Sequence, residues 1–381
     1  MTISGLVDAG YQSYNAKGNK FQTVGSNGSA TTAVIVAGTE DLGGGLKAEF
    51  RWELNPAVTE TANRTGGTSA QGTTSNVTSS IGNGSSFVGA SGAFGAIKFG
   101  APNIATLAIN GEGNGGFATA VGSGYRVSSF DAVRFQNSLR YDTPVFSGFS
   151  GSLVYSPKND KQALPGSAGL SGNLNNQTNG RDGAQEIGVA YANGPLSVRY
   201  ANLVVKQYAG LLGTADPYNT ITIRNVATPG AEFKIDSLSA KYNGVLPGLN
   251  LSYFYQKVSS DTLSAVKADG TLGTQQFDRT THGIGASYAI TPTVTAMVNY
   301  QEVKNGANAS TTTGSKANLK GEVLGLGLDY ALSKRTALYA RYERDTDKNN
   351  AGFRNVSSGG YATVGTNYTY TATAVGIRHS F

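Results

Sequence analysis

The chain closes on a segment that alternates strictly between two kinds of residue. From Tyr368 to Phe381 one face carries Thr371, Thr373, Val375, Ile377, His379 and Phe381, with Arg378 on the other. A period of two is the signature of a strand whose faces meet different surroundings. A strand that ends on an aromatic residue needs a neighbour along its edge, because an exposed, apolar edge invites pairing with other chains. Closing the sheet supplies that neighbour, so the pattern points to a β-barrel whose last strand pairs with its first.

Which solvent lies outside the barrel follows from Leu46–Leu54. Lys47, Glu49, Arg51 and Glu53 occupy one face, and Ala48, Phe50, Trp52 and Leu54 the other. A fully charged face opposite a fully apolar one suits a wall between a wet lumen and lipid. The division recurs in Leu139/Tyr141, Leu153/Tyr155, Ile187/Val189/Tyr191, Leu251/Tyr253/Tyr255, Val294/Ala296/Val298/Tyr300 and Leu324/Leu326/Leu328/Tyr330. Many of these stripes end in tyrosine, whose ring can be buried while its hydroxyl stays wet. The repetition predicts an aromatic girdle at a membrane interface.

Composition fits this reading. The 381 residues include 52 Gly and 20 Tyr, with only 14% charged, which suits a thin apolar band better than a packed core of that size. No run approaches the ~18 apolar residues that a membrane-spanning helix needs. Met1 stands directly before the first strand-like segment, and the expectation is that it replaces a cleaved secretion signal. Cysteine is absent. The net charge of +6 comes from single, alternating Lys and Arg, without the basic run or aromatic motif of a nucleic-acid binder, so no nucleic acid is expected as partner.

Short turns at 40–45, 91–95, 143–148, 193–195, 243–248, 291–292 and 332–334 alternate with long Gly-, Ser- and Asn-rich loops near 15–31, 56–84, 101–134, 158–184, 209–231, 259–278, 305–319 and 347–367. They separate about sixteen strands, an even number with both termini on the short-turn side. The expected fold is therefore all-β: one domain over 1–381, a sixteen-stranded antiparallel transmembrane barrel with short periplasmic turns and long external loops. A barrel of that size leaves an aqueous channel unless something narrows it. The connection 101–134 is suited to the task, since Gly111, Gly113, Gly115, Gly116, Gly122 and Gly124 permit tight folding inside a lumen.

Six stretches carry a family resemblance: Ile3–Gly10, Gly38–Ala48, Ser91–Gly95, Arg134–Tyr141 with the turn Thr143–Phe149, Leu332–Tyr339, and Val375–Phe381. Together they span the chain, which resembles the general porins of Gram-negative bacteria, of the type known from β-proteobacteria and Neisseria. The resemblance implies a homotrimer in the outer membrane, a third loop folded inward as an eyelet, diffusion of small hydrophilic solutes and ions, and a terminal Phe381 read by the barrel-assembly machinery. Lipid and lipopolysaccharide are the expected surroundings. By position, Arg134 matches the arginine that opens the sixth strand and Lys98 the basic position of the fifth. Ala33, Ala37 and Ala101 stand where relatives commonly carry arginine, so the basic ladder is thinned.

The expected channel lining is Lys47, Arg51, Lys98, Arg134, Arg140, Arg199, Arg341 and Arg378, with Glu49, Glu53, Glu112 and Asp131 as acidic counterweight. A slight basic excess predicts mild anion preference. A channel specific for one organic solute, or a barrel enzyme or adhesin, are the competing readings. No enzyme chemistry is expected: His282 and His379 form no cluster with a nucleophile. Gly111–Gly116 satisfies a dinucleotide pattern, but without a following helix it has no N-terminus to hold a pyrophosphate. Asp345 and Asp347 lack the oxygen set that calcium prefers, so neither metal nor cofactor is expected.

Overall fold

The computed structural model describes residues 1–16, 19–56, 84–124, 134–135, 137–157, 181–207, 232–260, 263–266, 272–275, 278–305, 319–348 and 368–381. Its strands are β1 (Thr2–Ala16), β2 (Asn19–Ser26), β3 (Ala33–Gly43), β4 (Leu46–Leu54), β5 (Ser86–Gly92), β6 (Gly95–Ala101), β7 (Ser138–Asp142), β8 (Phe149–Ser156), β9 (Arg181–Asn193), β10 (Leu196–Gln207), β11 (Glu232–Tyr242) and β12 (Leu249–Ser260). They continue with β13 (Leu263–Val266), β14 (Leu272–Gln275), β15 (Asp278–Ala289), β16 (Val294–Asn305), β17 (Leu319–Ala331), β18 (Thr336–Asp347) and β19 (Tyr368–Ser380). One helix, α1 (Ala105–Glu112), follows β6.

Sixteen of these positions make one closed antiparallel barrel. β2 and β3 are two pieces of a single wall strand, both paired with β1, and β13 and β14 form a separate ribbon. Closure is made by β1 and β19, in register from Leu6 opposite Ser380 to Ala16 opposite Tyr370. The terminal residue continues the seam: the Phe381 N–H donates to the Gly5 carbonyl and the Gly5 N–H to the Phe381 carbonyl, both at 3.1 Å. The ring leans on Gly5, where any Cβ would strike it. Phe381 therefore satisfies an edge that would otherwise hang open.

The alternation read from the sequence maps onto the wall. Leu46, Phe50 and Trp52 are exposed on the outside of β4, while Glu53 is buried on the inside. Exposed Tyr242, Tyr288 and Tyr330 lie toward the short-turn rim, while Tyr155, Tyr200 and Tyr300 end the outward apolar stripes on the loop side, the last two near the middle of their strands. Aliphatic residues such as Ile187, Ile284, Val298, Leu326 and Val375 fill the outer face between them. Two tyrosine rows bounding an apolar belt are the outline of a bilayer on a barrel. The tight β3–β4 turn rests on Gly43, Gly44 and Gly45, all at positive φ (84°, 61° and 80°), where a side chain would be strained.

One expectation is corrected. The first long loop, expected near 15–31, is mostly strand: β1 runs to Ala16 and β2 returns from Asn19, paired with it in register. Of Lys20 to Ser26 only Phe21 and Val24 are apolar, at positions of opposite parity, and that pattern disguises a strand whose backbone hydrogen bonds to β1 carry it. The expected connection near 259–278 likewise contains the β13–β14 ribbon.

Candidate functional site

The connection after β6 runs along the inner wall instead of over the rim. Its base is drawn together by a bridge between Asn103 and Arg134, whose Nε donates to Asn103 Oδ1 at 3.1 Å. The helix that follows begins at Ile104, an extended residue with no side chain able to cap it. The cap comes from the wall. Glu186 on β9, 1% exposed, accepts from the Ala105 N–H (2.6 Å), the Thr106 N–H (2.9 Å) and Thr106 Oγ1 (2.7 Å). A carboxylate at a helix N-terminus satisfies orphan donors and faces the positive end of the dipole.

Further along, each turn of the segment meets another strand. Gln256 on β12 donates to Asn110 Oδ1, and Glu112 accepts from Arg199 Nε on β10 at 2.8 Å and from Ser239 on β11 at 3.3 Å. The Gly115 N–H donates to Ser252 at 2.8 Å, and the backbone there lies so close to Gly285 that a Cβ on that wall glycine would come within 2.6 Å of Gly115 Cα. Phe117 packs on Gly327, with the Arg341 guanidinium 5.7 Å from its ring centre. Glu343 on β18 ends the run by accepting from the N–H groups of Gly122 (2.7 Å) and Gly124 (3.0 Å), while Asn299 and Gln301 donate to the Gly122 and Ser123 carbonyls. Residues 103–124 thus line the wall from β9 to β18.

Height decides what this does to the bore. Arg199 lies in β10 (Leu196–Gln207), Asn299 in β16 (Val294–Asn305) and Glu343 in β18 (Thr336–Asp347), several residues from either end. At about 3.3 Å of rise per residue the segment sits near mid-barrel. It therefore takes up cross-section where the wall strands are complete.

The lining residues expected from the sequence are placed as follows. Arg51 pairs with Glu53 at 2.7 Å across alternate positions of β4, with Glu49 half-buried beside them. Lys98 and Arg140 face each other across β6 and β7 and converge on Asp142 at 2.8 and 2.7 Å. Arg140 also donates to the Asn103 carbonyl, tying the ladder to the loop base. Arg341 and Arg378 converge on Asp329 at 2.7 and 2.8 Å. Arg199 faces Glu112. Lys47 is exposed beside the β3–β4 turn, at the mouth rather than the waist. Asp131 lies outside the described residues.

Sequence reasoning missed Asp142, Asp329, Glu186 and Glu343. Their signal was parity: Asp142 shares a face with Arg140, Asp329 opposes the outward Leu328 and Tyr330, and Glu186 and Glu343 alternate with outward Ile187 and Tyr342. A cavity of about 380 Å³ opens between α1 and the wall, lined by Leu107, Ala108, Arg140, Asp142, Ser152 and Arg199 among others. Among the described residues no three His, Cys, Asp or Glu gather as metal ligands. The histidines face outward, His282 against Tyr253 and His379 against Thr336, each at 2.9 Å.

Comparison with known proteins gives one consistent result. The sequence profile described as Gram-negative porin matches residues 1–350. The chain is 27% identical over 398 residues to the outer membrane porin protein 32 of Delftia acidovorans, covering all of this chain and 94% of that protein. It is 25% identical over 395 residues to the major outer membrane protein P.IB of Neisseria gonorrhoeae, again covering all of this chain and 94% of the relative. Its fold superposes on the anion-selective porin from Comamonas acidovorans with a TM-score of 0.71 at 24% identity, over 100% of this chain and 99% of the other.

Proposed function

The chain belongs to the Gram-negative porin family, channels of the bacterial outer membrane, and from that premise we propose that it is a mildly anion-preferring diffusion pore whose waist is set by residues 103–124. One observation carries the sign of the selectivity. Four acids of the inner wall, Glu53, Glu112, Asp142 and Asp329, are paired with cations, and two of them, Asp142 and Asp329, are each shared by two, against the single Glu49, whose Oε1 has no hydrogen-bond partner among the described residues. Each shared acid leaves one positive charge over. Glu186 and Glu343, the other acids that hold the loop, are turned into backbone N–H groups and buried away from the passage. Fixed positive charge in a narrow, low-dielectric passage concentrates anions and is screened as salt rises.

The outer surface supports the assembly expected of such a pore. Between β4 and β8 the outward positions are apolar, including Phe50, Trp52, Val88, Phe99 and Leu139, and the strands there are as short as five residues. That face suits contact with two further copies in a homotrimer. Across β10 to β18, Lys206, Lys234, Lys304 and Lys348 form ion pairs beyond the upper tyrosines, at the level where lipid headgroups, lipopolysaccharide included, would lie. Phe381 is offered to the assembly machinery as the end of the closing strand. No residue is assigned a catalytic role.

Planar-bilayer recording tests the reading. Conductance in three equal sublevels and an anion-directed reversal potential under a potassium chloride gradient are the expected results. A cation-directed potential would overturn the selectivity, and absence of conductance the pore itself.

A further inference from the structure

The wall strand formed by β2 and β3 is broken, and the missing piece lies inside the barrel. Ser26 is paired with Ala9 and Ala33 with Leu6, so only Val7 and Asp8 of β1 stand between the two pieces, yet residues 27–32 must join them. Six residues cannot lie flat where the register leaves room for two. Asn27, at φ 66°, turns the chain out of the sheet, and its Oδ1 accepts from the Thr32 N–H at 2.7 Å to pinch the excursion at its base.

Its course is fixed by its partners. The segment crosses the inner face of β1, where Asp8, fully buried, receives it: Oδ1 accepts from the Gly28 N–H (3.1 Å) and Oδ2 from the N–H groups of Ser29 and Ala30 (2.9 Å each). Beyond β1 it reaches β19, where Arg378 Nη1 donates to Ser29 Oγ at 3.0 Å, and β18, where Gly28 lies against the hydroxyl of Tyr339. That hydroxyl donates to Asp8 Oδ1 at 2.8 Å, over a floor of Gly10 and Gly376 that leaves it room. Tyr339, Arg378 and Asp8 all belong to inward rows, so the excursion overlies the lumen side of three strands. It is also joined to the loop: the Arg341 guanidinium lies 5.6 Å from the Tyr339 ring centre and 5.7 Å from that of Phe117.

We propose that residues 27–32 are a second pore-narrowing element, which seals the Asp8 charge behind backbone N–H groups and holds Arg378 beside the passage. The segment presents exposed Thr31 and half-buried Ala30 to the water-filled space. A small neutral lining thus replaces an acidic one. Successive N–H groups directed at one carboxylate stabilise it and cover it from the passage, and Arg378, held by Ser29 and Asp329, keeps its charge at a fixed place. This rests on the porin reading, which the conductance of the unaltered protein tests separately.

The chain has no cysteine, so a single introduced thiol reports without background. Thr31→Cys, recorded in bilayers, is treated with a sulfonate-bearing and then, in a separate sample, an ammonium-bearing methanethiosulfonate reagent. The expected result is a stepwise loss of current with both, and reversal potentials shifted in opposite directions. Asn243→Cys, exposed in the short turn between β11 and β12 and away from the waist, should label without altering either quantity. Complete labelling of Thr31→Cys, verified by mass, with conductance and selectivity unchanged would overturn the proposal, and so would a folded barrel whose thiol no reagent reaches. Should Thr31→Cys not fold, Ala30→Cys gives the same readouts.

Discussion

Two sets of carboxylates stand on the same inner wall and do opposite work. Asp8, Glu186 and Glu343 are buried, and their oxygens are directed at backbone N–H groups of segments that fold into the lumen. Glu112, Asp142 and Asp329 retain some exposure and, like the buried Glu53, face guanidinium or ammonium groups. The first set holds backbone in place and is covered by the backbone it holds. The second set holds other charges, so it sets the local field that a solute meets. The difference teaches that an acid in a pore is assigned its role by the partner it reaches, since N–H groups fix it to backbone and cover it whereas a shared acid leaves a cation over.

The comparison can be broken most visibly at Glu343. Charge-assisted hydrogen bonds are worth about 1.5–3 kcal/mol each, and Glu343→Ala removes two of them from the end of the inward loop. A larger, noisier single-channel conductance and easier heat denaturation of the barrel are expected. Glu343→Gln, which keeps an acceptor oxygen, should fall between. Glu186→Ala comes next: it uncaps α1, but the Glu112–Arg199 and Gln256–Asn110 contacts remain, so a smaller rise in conductance is expected from the same recordings.

The second set should answer in selectivity. Asp329→Asn frees the charges of Arg341 and Arg378 from their shared acid and should move the reversal potential further toward anions at nearly unchanged conductance. If it instead raised conductance and noise as Glu343→Ala does, the division into two roles would fail. Arg199→Ala breaks a partly exposed pair, a kind worth about 0–1 kcal/mol. Its effect should be a slight loss of anion preference that vanishes in high salt, with denaturation unmoved. Lys47→Ala, at the mouth, should change least, and only in dilute electrolyte.

How much of this was legible depends on the kind of order involved. The outward rows were readable because lipid imposes the same demand at every second position, as in Leu324, Leu326, Leu328 and Tyr330. Inward charges were readable when flanked by such rows, as Arg51 and Arg140 were. Helix α1 was not, since Ala105–Glu112 has no capping residue of its own and includes a glycine. Its cap, Glu186, lies some eighty residues away. The break at 27–32 was hidden for the same reason: its glycine and serine read as an ordinary loop, and only Asp8 and Tyr339 show that it turns inward.

The sequence by itself determined the barrel, its closure through β19 and the lipid-facing belt, because each follows from a local period of two set against two solvents. Tertiary structure alone decided which acids clamp and which tune, where the waist lies, and that a second segment enters the lumen. Those outcomes depend on hydrogen bonds between residues far apart in the chain, such as Glu343 with Gly122 and Tyr339 with Asp8, and no local pattern encodes which distant partner a buried carboxylate will meet.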